Sequence, residues 1–145
     1  MKISCKDYAL FLVSLRAQSI GQMRAKLEKK GYPSDEIESS IQRLTELNYL
    51  NDDQFAQIYF ENLKKYKNFG YFGIKKKLME KKIAKKQIES LLKTLTLKEE
   101  TLMARRLLDK SKNKTSLQQI RSLQSKGFRG DVVFKVTKVV VEDQN

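Results

Sequence analysis

Apolar residues recur along this chain at helical spacing. Tyr8, Leu12 and Leu15 stand at i, i+4 and i+7, with Phe11 beside them. Ile37, Ile41 and Leu44 repeat that spacing, and Ile88, Leu91, Leu92 and Leu95 extend it. Such stripes give a helix one apolar face. One Pro and six Gly leave few breakers, so the pattern predicts helices near 5–17, 20–30, 34–48, 52–66, 71–82, 85–95, 97–111, 116–126 and 131–142. Several have start signals. Ser34 stands ahead of Asp35 and Glu36 as a cap, with acid at the positive end of the helix. Thr96 with Glu99, and Thr115 with Gln118, have capping-box spacing, and Asn51 with Gln54 is a weaker form. The β-branched run Val132–Val141 could pass for a strand. Lys135 and Lys138 break the alternation, whereas Val132, Val133, Val136, Val139 and Val140 form a helical stripe, so a helix is expected.

The pattern repeats on a longer scale. Leu27, Leu78 and Leu123 are each followed five residues later by a bulky residue: Tyr32, Ile83 and Phe128. Ten residues past each leucine stand Ile37, Ile88 and Val133, and seventeen past stand Leu44, Leu95 and Val140. The leucines lie 51 and then 45 residues apart. A period of that length marks a stacked helical array. The expected fold is all-α, with three tandem three-helix repeats at 1–50, 51–96 and 97–145.

Charge narrows the function. Lys and Arg number 30 against 17 Asp and Glu, giving a formal net charge of +13 in 145 residues. Residues 1–50 hold 8 basic and 6 acidic residues, 51–97 hold 11 and 5, and 98–145 hold 11 and 6. The excess is concentrated in the last two thirds, which points to an anionic partner more than to a uniform background. Cys5 is alone and His is absent, so neither an internal disulfide nor a Cys/His zinc site can be assembled. The missing His removes the commonest general base, and no phosphate-binding glycine motif is present. A non-enzymatic protein without metal or cofactor is expected. A start without a long apolar stretch and no run long enough to span a bilayer suggest a cytoplasmic protein with no membrane partner.

One stretch is recognisable: Leu47-Asn48-Tyr49-Leu50-Asn51-Asp52-Asp53-Gln54-Phe55-Ala56. It resembles the junction in RecX regulatory proteins where an Asn/Asp-Asp pair opens a helix with Phe-Ala. Ala9–Arg16 and Arg24–Tyr32 are similar to that family's first two helices, and Gly70-Tyr71-Phe72-Gly73-Ile74 to the Gly-rich opening of its fifth. Phe72 stands where the family often has Pro, and Gln22-Met23 where it often has Glu-Leu. The resemblance covers roughly residues 5–140. It implies an elongated, curved helical array that binds RecA recombinase filaments on DNA and restrains them, without catalysis or cofactor. The rival reading is a general DNA-binding helical protein that needs no recombinase.

The candidate contact residues are basic. Lys75, Lys76 and Lys77 form a run with Lys64, Lys65, Lys67, Lys81, Lys82 and Lys85 nearby. Ile74 and Leu78 share a face, so the lysines between them splay over the exposed side, suited to phosphates or an acidic surface. The alternative is a solvated helix face. Arg105 and Arg106 could fork onto carboxylate or phosphate, or pair with neighbouring acids such as Asp109, Glu99 and Glu100. Arg16 and Arg24 fall on stretches that match the family, and a structural salt bridge is the other reading. Gly70-Tyr71-Phe72-Gly73 evokes a KH-type clamp, but that module needs a sheet where these flanks read as helices. Tyr59, Tyr66, Phe69, Tyr71 and Phe72 are expected to be core at a helix junction. Acids interspersed among the lysines (Asp52, Asp53, Glu80 and Glu89) favour a protein–DNA filament over bare DNA, which binds more weakly and non-specifically. A monomer is expected.

Overall fold

A computed structural model describes residues 3–110 and 114–139. Among the described residues there are nine α-helices and no strand. They are α1 (Cys5–Leu15), α2 (Ile20–Lys30), α3 (Ser34–Glu46), α4 (Asp52–Lys65), α5 (Tyr71–Glu80), α6 (Lys85–Lys93), α7 (Leu97–Asp109), α8 (Ser116–Ser125) and α9 (Gly130–Thr137). The β-branched run is helical as far as Thr137, and Lys138 ends it in the left-handed conformation at φ 65°. Val140 and Val141, and the far end of the expected 131–142 helix, lie outside the described residues.

Local chemistry sets the helix starts. Thr115 and Gln118 form the full reciprocal capping box. Thr96 and Asn51 accept from the backbone N–H three residues on. Ser19 with Gln22 forms a second complete box that the apolar stripes did not reveal. Ser34 is not a cap: Pro33 holds that position and no side chain caps α3. Its fixed φ suits the turn into the helix.

The leucine register recurs at three identical helix ends. Leu27, Leu78 and Leu123 are fully buried. The N–H five residues later donates back to each leucine carbonyl: Tyr32 at 3.3 Å, Ile83 at 3.3 Å and Phe128 at 3.1 Å. Between them Gly31, Lys82 and Gly127 take positive φ of 97°, 60° and 77°. This is the Schellman ending, where a left-handed residue lets the chain satisfy the last carbonyls. Glycine fills it twice and Lys82 once.

The main helix–helix packing lies within α1–α3, α4–α6 and α7–α9. Met23, Leu27, Ile37, Ile41, Leu44 and Leu50 close a core inside the first triplet. The second and third triplets share one larger core that runs from Phe60, Ile74 and Leu78 through Ile88 and Leu95 to Met103, Leu123 and Phe128.

The same contact joins each triplet to the next. The start of α2 meets the end of α5, where the Ser19 hydroxyl donates to the Lys81 carbonyl at 2.5 Å. The Ile20 N–H donates to Asp52 Oδ1 at 2.8 Å. One repeat on, the start of α5 meets the end of α8. Gly70 N–H donates to the Lys126 carbonyl at 2.9 Å and Phe72 N–H to the Gly127 carbonyl at 2.8 Å. Tyr71 N–H, the counterpart of Ile20 N–H, donates to Glu100 Oε2 at 3.1 Å. Glu100 is fully buried and also accepts from Arg129 Nε at 2.6 Å and Arg129 N–H at 2.9 Å.

Candidate functional site

The lysine run on α5 is arranged as its phase requires. Ile74 and Leu78 are buried while Lys75 and Lys76 are exposed. Lys65 and Lys67, at and just past the end of α4, are exposed, as are Lys82 and Lys85 before and at the start of α6. Lys85 and Lys86 occupy the first turn of α6, which holds no acidic residue. Cations at the positive end of a helix dipole disfavour it by tenths of a kcal/mol, roughly, and an incoming anion removes that penalty.

Other candidates are committed within the chain. Lys64 is buried, with Nζ 3.1 Å from Glu99 Oε2, 3.3 Å from Glu61 Oε1 and 4.5 Å from the Phe60 ring centre. It sits one turn past Phe60 on the inward side of α4 and is not part of an open basic face. Arg24 forks onto Glu38 at 2.7 and 3.1 Å. That hydrogen bond holds the Glu38 carboxyl below its ordinary range and raises Arg24. Arg106 donates to the Lys64 carbonyl at 3.2 Å, not to the acids considered from the sequence. Arg105 is exposed, as is Arg16 at the end of α1. Lys77 and Lys81 are half-buried, Lys77 at 3.5 Å from Glu80 and Lys81 at 5.4 Å from the Tyr59 ring centre. Burial and then the Glu80 charge push the Tyr59 phenol above its usual range.

The acids interspersed with the lysines are partly committed too. Asp52 accepts from Ile20 N–H, Asp53 accepts from Gln87 at 2.7 Å, and Glu80 faces Lys77. Glu89 is exposed. Among the aromatics, Tyr59, Phe69 and Tyr71 pack against the large core and Phe72 is half-buried against Tyr71. Tyr66 departs from the expected core position, being 68% exposed.

Two cations were missed. Lys26 donates to the buried Gln18 side chain at 2.8 Å. Lys126 lies 4.3 Å from the Phe69 ring centre. The repeat offsets could have found both: Lys26 is 51 residues before Lys77, and Lys126 is 45 after Lys81.

Among the described residues no group of three or more Cys, Asp and Glu is placed to hold a metal ion. No described helix is long and apolar enough to cross a membrane. An open cleft of about 1100 Å³ beside α1 and α3, lined by Ser4, Cys5, Tyr8, Tyr32, Asp35 and Ser40, holds the thiol buried beneath it.

Comparison with known proteins follows the same architecture. Residues 5–44, covering α1 to most of α3, match the family model described as RecX, first three-helix domain. A regulatory protein RecX of Clostridium botulinum is 30% identical over 149 aligned positions, covering 96% of this chain and 69% of the relative. One from Halalkalibacterium halodurans is 29% identical over 88% of this chain, but the match spans only about half of that relative, 51%. The crystal structure of RecX from Lactobacillus salivarius superposes with a TM-score of 0.77 over 92% of each chain, at 22% identity. A similarity of this extent to the Clostridium botulinum protein shows that the chain belongs to the RecX family of regulatory proteins.

Proposed function

We propose that this chain binds RecA–DNA filaments and restrains the recombinase in filament growth, strand exchange and ATP hydrolysis, acting by contact and without chemistry of its own. In this reading it works as a cytoplasmic monomer. Its three helix triplets, divided at 1–50, 51–96 and 97–145, are the repeats of a curved array laid along the filament.

The observation that carries the reading is the set of exposed cations on a chain of this family. Lys65, Lys67, Lys75, Lys76, Lys82 and Lys85 stand open along the middle triplet. A repeat array offers an extended surface rather than a deep pocket, which suits a filament. Positive charge speeds encounter with a polyanionic assembly. Bare DNA offers only sequence-independent phosphate contacts, so it should be bound weakly and lose affinity steeply with salt.

The test is a titration against DNA alone and against DNA coated with RecA in its nucleotide-bound state, at two salt concentrations. The expected result is tighter, more salt-resistant binding to the coated DNA. Equal affinity for both at both salts would replace this reading with a general DNA-binding protein.

A further inference from the structure

The joint contact brings basic side chains together, and it does so twice. At the first joint Lys26 of α2 is held by Gln18. Burial first, then the charges of Arg16 and Lys81, hold its ammonium below the usual lysine range. Arg16 caps the end of α1, two residues before Gln18, and the Ser19–Lys81 hydrogen bond holds the end of α5 against the residue that follows Gln18, so three segments bring basic residues to one joint. Gln18 is 3% exposed and supplies an oxygen but no charge.

Advance every position by one repeat and basic residues return, Lys67 by its offset in the sequence and Lys77 and Lys126 by a shared contact. The counterparts of Arg16, Gln18 and Lys26, each 51 residues on, are Lys67, Phe69 and Lys77. The counterpart of Lys81, 45 residues on, is Lys126. Lys77 and Lys126 lie 5.4 and 4.3 Å from the centre of the Phe69 ring. The ring takes the place of the Gln18 amide as the neutral group beside the counterpart of Lys26, and it also receives Lys126, whereas Lys81 at the first joint lies over the Tyr59 ring. Lys77 also meets Glu80 at 3.5 Å, a partly exposed i,i+3 contact of the kind that contributes little. Among the described residues, Arg16, Lys26, Lys67, Lys81 and Lys126 take part in no ion pair.

Gathering like charges with one carboxylate contact between them, Glu80 on Lys77, is unfavourable in the free protein. An anion placed among them reverses the sign of that interaction. Two such clusters at equivalent points of successive repeats fit a ligand whose charges also recur. We propose that Arg16, Lys26 and Lys81, and again Lys67, Lys77 and Lys126, form two equivalent phosphate clamps that grip one nucleic-acid strand along its phosphodiester backbone. Each clamp spans a joint, so a bound strand also ties adjacent triplets together. This assignment rests on the reading above only in taking DNA as one component of the target.

The test uses the full chain and a labelled single-stranded oligonucleotide without recombinase. Lys26→Gln and Lys126→Gln should each weaken binding by about 3- to 10-fold and flatten the log–log salt slope by about 0.7, the value for one single-strand phosphate contact. Lys29→Gln, which removes an exposed charge of α2 outside both clamps, should change affinity less than about 2-fold. Circular dichroism confirms that each variant is folded. In isotope-labelled protein the Gln18 amide and Phe69 ring signals should move with the strand, and with inorganic phosphate only at far higher concentration. Equal losses for Lys26→Gln and Lys29→Gln would overturn the clamps in favour of diffuse attraction. Binding of inorganic phosphate without the strand would overturn the strand assignment. Sensitivity of filament binding alone, with strand binding unchanged, would assign the clusters to an acidic protein surface instead. The filament reading fails separately, if wild-type protein shows no preference for coated DNA.

Discussion

The joint between the first and second helix triplets is thin and polar, whereas the joint between the second and third is closed by burial. Both use the same geometry: a helix start laid against the Schellman end of a helix one repeat further on. At the first joint the backbone N–H of Ile20 is met by Asp52, a partly exposed side chain in the first turn of α4. At the second the equivalent N–H of Tyr71 is met by Glu100, which is fully buried and shared with Arg129. Six residues past the repeat leucine the third triplet has Arg129 where the second has Ala84, so the first joint has no cation to match. The cores agree, continuous across the second joint and separate at the first. The first triplet is thus attached to the remainder by a few hydrogen bonds and one close backbone approach, which makes it the body expected to pivot.

The largest predicted effect follows from Glu100. Arg129→Ala leaves that carboxylate buried with two backbone donors and no counter-charge. Removing one partner of a buried pair costs about 3–5 kcal/mol. Urea denaturation should show that loss as a lower midpoint. The matching change at the first joint, Asp52→Ala, removes one hydrogen bond at a wetter site and should cost about 1 kcal/mol. Equal losses for the two would erase the distinction between the joints.

Glycine positions sharpen it. A methyl group on Gly73 would collide with the Lys126 carbonyl oxygen, a backbone atom already held by the Gly70 N–H. On Gly21 it would meet Lys82 Cβ at 2.6 Å and the Lys82 carbonyl at 3.0 Å, at the joint that can shift. Gly73→Ala should therefore fall near the upper end of the usual overpacking cost, about 3 kcal/mol, and Gly21→Ala near about 1 kcal/mol. Thermal melts of the two variants give the order directly, and a Gly21→Ala loss as large as that of Gly73→Ala would mean the first joint is as stiff as the second.

These contrasts were only partly legible in the sequence. The helices were, because each buries one stripe, and the leucine register was, because its three copies share one helix ending. The joints were not. Glu100 and Arg129 are 29 residues apart and neither lies in a motif; Glu100 stood beside Glu99 and read as one of a pair of surface acids. The Gly70-Tyr71-Phe72-Gly73 stretch read as the Gly-rich opening of a helix, with no sign that the end of α8 packs against it. Lys64 was hidden by its neighbours: inside a run of lysines its helical phase, one turn past Phe60, is easily overlooked. Lys26 and Lys126 each stand outside the dense run, and only the repeat offsets connect them to it.

A smaller effect, of opposite sign, is expected at Lys82. It holds the left-handed position that Gly31 and Gly127 occupy in the other repeats, at φ 60°. A side chain there costs about 1–2 kcal/mol, while glycine loses about 0.5–1 kcal/mol of chain entropy on folding. Lys82→Gly should stabilise the protein by about 0.5–1 kcal/mol, provided the Gly21 contact tolerates the missing Cβ. A destabilised variant would show that the first joint depends on that contact more than its polar character implies.

The smallest effect concerns Lys26, where stability and binding are expected to part. Its ammonium is held below the usual lysine range by burial, and then by Arg16 and Lys81. A lysine whose folded-state pKa is depressed is penalised in its charged form, so folding is disfavoured while the group is protonated. That penalty is fully present below the folded pKa and disappears once pH exceeds the unfolded value. Lys26→Gln should then be slightly more stable than wild type at neutral pH, by less than about 0.5 kcal/mol, the range of ordinary surface changes. The gain should vanish toward alkaline pH, where wild-type Lys26 is neutral as well. At neutral pH the same variant should bind the oligonucleotide more weakly. Urea midpoints at neutral and alkaline pH, set beside the binding titration, check both signs. A variant that loses stability at neutral pH would place Lys26 in the framework of the first joint, held there by its bond to Gln18, and not among charges kept apart for an anion.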